Sequence, residues 1–384
     1  MTVEQIYSLT NDAVTEVLGI ETVLQEDLSN LVDIGNEVFN ANAVDNYVKS
    51  LVNHIGKVIF VNRPYEGGAP SVLMDGWEFG SVLEKIQADL PTAVENDTWQ
   101  LEDNTSYDPN VFHKPSVSAT FYNKRVTFEI EMSFCEIQVK ESFSSADQLN
   151  AFLSMLYTTV ENAMSIRVDA LIQRTVNNAI AETVYDDYGT NDQSASSGVK
   201  AINLLYLYNT KYNTQLTLAD AITNPDFIRF AVYTINMYSS RLTRISTLFN
   251  IDGKARFTPK SKQHTLMLAD FASAADIYLQ SDVYHNEYTQ LNAEVVPYWQ
   301  GSGTGYALED ISKIYLEKTG SEHEITVNGV LAVVWDRDAL GVTNYDRRVT
   351  TNYNPKGEFY NNFYKADMGC FNSTQENVIV FFAA

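Results

Sequence analysis

Apolar and polar positions fall into two clear periods along this chain. From Ser145 to Tyr185 there is neither Gly nor Pro, and Leu149, Phe152, Leu156, Val160, Met164, Val168, Leu171, Ile172, Val176, Ile180 and Val184 recur at helical spacing. That ladder predicts one long amphipathic helix, with Ser145 and Gln148 at capping-box spacing at its start. At 1.5 Å per residue an unbroken helix here is about 60 Å long. A compact chain of this length is only about 55 Å across. Such a helix suits a beam better than a wall of an enzyme pocket.

Before it, Val126, Phe128, Ile130, Met132 and Phe134 alternate with Thr127, Glu129, Glu131 and Ser133, the period of a strand with one wet face. Ile137 and Val139 reverse the parity, which places a bulge or turn near Cys135. After it, Val330 to Trp335 is continuously apolar, as in a central strand buried on both faces. Val378 to Phe382 reads as a closing strand, and Leu266–Leu268 and Val295–Val296 as strands around a helix near residues 272–281. Leu218, Ala221 and Ile222 form one helical stretch. Phe227, Phe230, Ala231, Ile235, Tyr238 and Leu242 form another, with Pro225 between them. Val44 to Ile55 predicts a short helix that Gly56 can cap, and residues 57–61 a strand. The mixture is α+β.

Two segments punctuate this order. Residues 66–107 carry Gly67, Gly68, Pro70, Gly76, Gly80 and Pro91 beside Trp77, Phe79 and Trp99. They read as the tip of an extended β-hairpin whose aromatic residues need a partner to bury them. Residues 186–198 are rich in Ser, Asp and Gly and mark the best domain boundary.

Composition narrows the function. With 45% hydrophobic and 20% charged residues in 384, the chain folds, and its apolar runs are too short to span a bilayer. No basic region followed by an apolar one opens it, so no secretory signal is expected. The net charge is -23, and nine acids precede the first cation, Lys49. A basic, phosphate-neutralising arm is therefore absent from this region. Two cysteines, Cys135 and Cys370, exclude a disulfide framework and read as buried thiols.

Candidate chemistry is sparse. His54, His113, His264, His285 and His323 are scattered, with no pair at ligand spacing. Gly301, Gly303 and Gly305 begin a phosphate-loop pattern, but Tyr306 stands where a last glycine is needed, so a plain loop is the better reading. Asp336 and Asp338 resemble a metal-binding pair, although two acids capping a strand at solvent are commoner. Asn96, Asn104 and Asn372 sit in glycosylation sequons that matter only after secretion. No catalytic, cofactor-binding or metal site is expected. The hairpin, the long helix and the acidic N-terminal region each have an apolar face without a local partner. Exposing such faces costs about 25 cal/mol per Å², so copies of the same chain are their natural cover.

This order of parts resembles the major capsid proteins of tailed bacteriophages, with the HK-ninety-seven-type fold, and within them the phi-twenty-nine-like short-tailed branch. The likeness is sharpest in LMLADFASAADIYLQSDVY followed by VVPYW, and in VLAVVWDRDALGV, RRVTTNYNPKGEFYNNFY and NVIVFF. It implies an N-terminal arm over 1–56, an extended loop over 57–143 and a peripheral-domain spine helix over 144–198. A mixed axial domain over 199–340 and closing peripheral strands over 341–384 complete the plan. On this resemblance Trp77, Phe79, Lys85 and Trp99 carry the inter-subunit contact at the loop tip. Some relatives cross-link Lys to Asn, a role open to Lys85, although a solvated lysine is commoner. Leu149, Phe152, Leu156, Val160, Met164, Leu171 and Ile172 line the spine helix.

The implied function is a non-enzymatic subunit that self-assembles into hexamers and pentamers of an icosahedral shell around double-stranded DNA. It would be built in the bacterial host cytoplasm with portal, scaffolding and decoration proteins, and without a membrane. The N-terminal region is short for a fused scaffold, so a separate one is implied, and no immunoglobulin-like domain is expected after the last strand. An encapsulin-like compartment and a carboxylate-dependent hydrolase are the alternatives.

Overall fold

A computed structural model describes residues 11–16, 70–74, 83–91, 93, 95, 103–104, 110, 112–135, 146–280, 293–300, 308–317 and 323–384. The expected helix at 44–55, the strand at 57–61 and the parity change after Cys135 lie outside these residues. The chain divides into two units.

The first unit contains residues 125–172 and 342–369, and its frame is a four-stranded sheet in the order β1-β11-β12-β4. Here β1 is Leu73–Met74, β4 Arg125–Cys135, β11 Leu340–Asn354 and β12 Phe359–Asn372. The alternation seen in the sequence is that of β4, which pairs antiparallel with β12 from Cys135 opposite Phe359 to Arg125 opposite Gly369. Tyr360, Asn362, Tyr364 and Ala366 of β12 are buried.

One buried charge pins this sheet. Asp367 is fully buried and accepts hydrogen bonds from Arg125, from Thr127 Oγ1 at 2.6 Å and from Arg348 Nη1 at 2.5 Å. Burial alone would raise its pKa, but the bonds from Arg348, Thr127 and Arg125 prevail and hold it at about 2. A carboxylate without these partners would be strongly destabilising at this depth.

Helix α1 runs from Ala146 to Tyr188, 43 residues, as its ladder of apolar positions predicts. Residues up to Ile172 belong to the first unit and those from Gln173 to the second.

The second unit is built on a five-stranded sheet, β5-β13-β10-β6-β7. Its strands are β5 (Ala201–Asn203), β6 (Gln263–Leu268), β7 (Glu294–Val296), β10 (Val330–Asp336) and β13 (Val378–Phe382). Every residue of β10 is buried, and it pairs antiparallel with both β13 and β6. The continuous apolar run thus marks the middle strand, as expected. β13 and β7 each add a parallel neighbour, β5 and β6, and the helix Ala269–Gln280 connects β6 toward β7.

The helix Pro225–Arg241 starts where local chemistry favours it: Pro225 takes the first turn and Asn224 caps the N–H groups of Asp226 and Phe227. Phe227, Ile228, Ala231, Val232 and Ile235 form its buried face. Trp299 joins the layers, its indole N–H donating to the Val330 carbonyl at 2.8 Å and its own carbonyl accepting from Asn177 at 2.8 Å. The polar segment after α1 is tied down. Asp187 accepts from the backbone N–H groups of Lys200 and Ala201 at 2.6 and 2.7 Å. Tyr188, pushed up to about 12 by burial, accepts from Gly198 N–H at 2.8 Å.

Candidate assembly surface

The second unit also holds a two-stranded antiparallel ribbon, β2 (Leu83–Ala88) and β3 (Val117–Tyr122). Side chains alternate across it. Leu83, Lys85 and Gln87 lean inward and Glu84, Ile86 and Ala88 outward; Ser118, Thr120 and Tyr122 lean inward and Val117, Ala119 and Phe121 outward. The register sets Ile86 against Ala119, Ala88 against Val117 and Glu84 against Phe121. The ribbon therefore turns a mainly polar side to its own unit and a mainly apolar side to solvent, the reverse of the usual arrangement. Ile86 is 65% exposed, Phe121 61% and Val117 57%. Leu90 and Phe112, in the connection between the strands, are exposed too.

A two-stranded ribbon is marginal by itself, and a charged clasp holds this one. Lys85 Nζ lies 2.8 Å from Glu376 Oε1 and donates to the Asp338 carbonyl at 3.1 Å. Gln87 Nε2 donates to the same Glu376 oxygen at 2.7 Å. Arg256 donates to Gln87 Oε1, and its Nε is 3.6 Å from Glu376. At the next inward position Lys254 Nζ donates to Asp89 at 2.9 Å, and Ser116 Oγ donates to the other Asp89 oxygen at 2.8 Å. These bonds, that from Lys254 foremost, hold the Asp89 carboxyl below its ordinary range. Tyr122 packs its ring on Phe371, centroids 5.3 Å apart. Desolvating Glu376 and its partners offsets much of their attraction, so the clasp fixes position more than it adds stability.

The residues singled out from sequence fall in different places. Lys85 is on the inward side of the ribbon, its side chain 18% exposed and engaged by Glu376. Trp77, Phe79 and Trp99 lie outside the described residues. Leu149, Phe152 and Leu156 are on α1, with side chains outside the description. Val160, Met164, Leu171 and Ile172 are buried within the chain. The exposed residues Ile86, Val117 and Phe121 were not singled out from sequence: VSATFY alternates apolar with polar residues, but LEKIQA mixes both on each face.

The remaining candidates have structural work. Asp336 is buried and accepts from Thr258 Oγ1 at 2.6 Å and from the Asp338 N–H at 2.9 Å, while Asp338 lies 3.6 Å from Lys262. They close the end of β10. His323 stacks on Tyr185 and His264 tilts against Trp335. Cys370 is a buried thiol. The glycines at 301–305 are outside the described residues. Among the described residues no group of three or more His, Cys, Asp or Glu is placed to hold a metal ion, and no helix is long and apolar enough to cross a membrane.

Residues 9–382 match the family model for the Phi29-like phage major capsid protein. The chain belongs to that family. This capsid protein is a structural subunit of the virion shell, and it works as an oligomer. Its fold is similar to that in the capsid structure of Staphylococcus phage Andhra, with a TM-score of 0.51 and 11% identity over 83% of this chain and 84% of that one. At that identity the likeness speaks for the fold alone, which is the HK-ninety-seven type. The capsid structure of Cyanophage P-SCSP1u is also similar, with a TM-score of 0.43 and 9% identity over 82% of this chain and 86% of that one. No curated protein matches the sequence.

Proposed function

We propose that this capsid protein closes into hexamers and pentamers of an icosahedral head enclosing double-stranded DNA, and that the outward face of the β2–β3 ribbon is covered by a neighbouring subunit. The observation that carries this is the apolar outer side of the ribbon, with Ile86, Val117 and Phe121 in solvent while Lys85 and Gln87 are clasped beneath. A contiguous apolar strip of this kind marks a contact surface, and in a shell every subunit presents it to a copy of itself.

The division into arm (1–56), extended loop (57–143), spine helix (144–198), axial domain (199–340) and closing strands (341–384) belongs to this proposal. So do the loop-tip contacts of Trp77, Phe79 and Trp99, whereas Lys85, expected among them, is engaged by Glu376 of its own chain. Assembly takes place in the host cytoplasm with a separate scaffold, a portal and decoration proteins. The net charge of -23 keeps the packaged DNA from adhering to the wall, so no sequence-specific DNA contact is involved. Electron microscopy of the purified protein across a concentration series tests the proposal. Closed shells of uniform diameter are expected, and a protein that stays monomeric at the highest soluble concentration would overturn it.

A further inference from the structure

A cavity of about 230 Å³ opens in the second unit where the ribbon ends. Its walls come from three pieces of chain. Phe121, Tyr122, Asn123 and Lys124 leave β3; Arg174, Thr175 and Asn178 share one face of α1; and Cys370, Phe371 and Asn372 close β12. The pieces are bonded to one another. The Cys370 N–H donates to the Lys124 carbonyl at 3.3 Å, Asn372 Nδ2 donates to the Thr175 carbonyl at 3.1 Å, and the Tyr122 and Phe371 rings are in contact. The pocket is thus a built feature, with aromatic and amide walls.

Its charge is unusual for this chain. Acids outnumber cations by 49 to 26, yet the lining holds two cations, Lys124 and Arg174, and no Asp or Glu. The other described hollows differ. One is lined by Glu182, Glu376 and Lys200, and the other by Asp192 and Glu324 without a cation. Lys124 and Arg174 are both exposed, whereas Lys85, Lys254 and Arg256 nearby are committed to the clasp. Copies of a chain with a net charge of -23 repel one another, so assembly favours contacts in which an exposed cation meets a neighbour's carboxylate.

We infer that this pocket receives a carboxylate side chain from a second copy of the chain, with Lys124 and Arg174 as its counter-charges. The carboxylate sits between the two cations at the rim, while the methylene stem of the incoming Asp or Glu lies on Phe121 and Phe371. Phe121 belongs both to this pocket and to the ribbon's apolar face, which makes the two one continuous surface. The inference rests on the shell proposal and names the electrostatic half of its contact.

The test uses shells assembled from an equal mixture of unlabelled and ¹⁵N-labelled full-length chains, treated with a carbodiimide that couples amines to carboxylates without a spacer. Mass spectrometry should find Lys124 joined to an Asp or Glu peptide of the opposite label. Absence of such a link, or links within one label only, would overturn the inference. Protection of Lys124 by a double-stranded oligonucleotide in place of that link would also overturn it and assign the pocket to phosphate. A second arm compares the Lys124→Gln/Arg174→Gln pair with wild type, using far-UV circular dichroism to verify the fold. The concentration needed for assembly should rise about tenfold, the size of one lost charge-assisted contact; assembly at the wild-type concentration would refute it. Failure of wild type to form shells would count against the parent proposal instead.

Discussion

Replacing Ile86 and Phe121 together by Ser separates assembly from folding. Burying an Ile or Phe side chain completely contributes about 1.5–3 kcal/mol. In the isolated subunit Ile86 is still 65% exposed and Phe121 61%, so a neighbour that covers them gains about 1–2 kcal/mol from each. The pair should therefore weaken a subunit contact by about 2–4 kcal/mol, or roughly 30- to 1,000-fold in association constant. Folding should hardly change, because substitutions of exposed side chains typically move stability by less than about 0.5 kcal/mol. Light scattering and negative-stain microscopy over a dilution series would give the concentration at which shells form, and a thermal melt of the unassembled subunit would give its stability. Shells forming at the wild-type concentration would refute the reasoning. So would a large fall in the subunit's Tm, which would mean that these side chains are already buried at home.

Asp367→Asn should destabilise the first unit by at most about 2.5 kcal/mol at pH 7, from a pKa lowered to about 2, and less where solvent screens the part-exposed Arg125 and Arg348. Because the folded pKa is depressed, the wild-type advantage is complete above about pH 4 and fades as pH falls toward 2. Denaturant melts of both proteins at pH 7, 4 and 2 should therefore converge on acidification. Gly329→Ala should cost about 2–5 kcal/mol, since Gly329 has φ +66° and an added Cβ would meet the Ala383 carbonyl oxygen at 1.9 Å; the Tm reports it. Glu376→Gln leaves Lys85 and Arg256 without their shared carboxylate. Hydrogen exchange at the β2 and β3 amides should accelerate by tenfold or more, the loss of a buried partner being worth about 3–5 kcal/mol, while β10 amides keep wild-type protection.

The elements most legible in the sequence are those whose pattern has only one physical reading. Val330 to Trp335 has no polar face, so it had to be a central strand. The α1 ladder has no breaker. The alternation in β4 was equally clear, but its partner β12 lies more than two hundred positions away, and periodicity carries no information about pairing. The ribbon shows a deeper limit. VSATFY alternates apolar with polar residues while LEKIQA mixes both on each face, and ordinary folding would bury Ile86 and Phe121. Only the clasp made by Glu376, Arg256 and Lys254, drawn from distant parts of the chain, decides that Lys85 and Gln87 go inward. Lys85 is thus neither a solvated surface lysine nor part of the outward strip. The sequence offered no sign of the pocket at Lys124 and Arg174, because its three walls meet only in the folded unit.

The pairing of β10 with β13 carries a consequence for synthesis. Residues 378–382 leave the ribosome long after residues 201–203 and 330–336, yet they lie between those two strands in the sheet. A nascent chain stalled before that point lacks the strand beside its most buried one and cannot close the core of the second unit. Prematurely terminated products therefore lack the strand that joins β5 to β10 in the second unit's sheet.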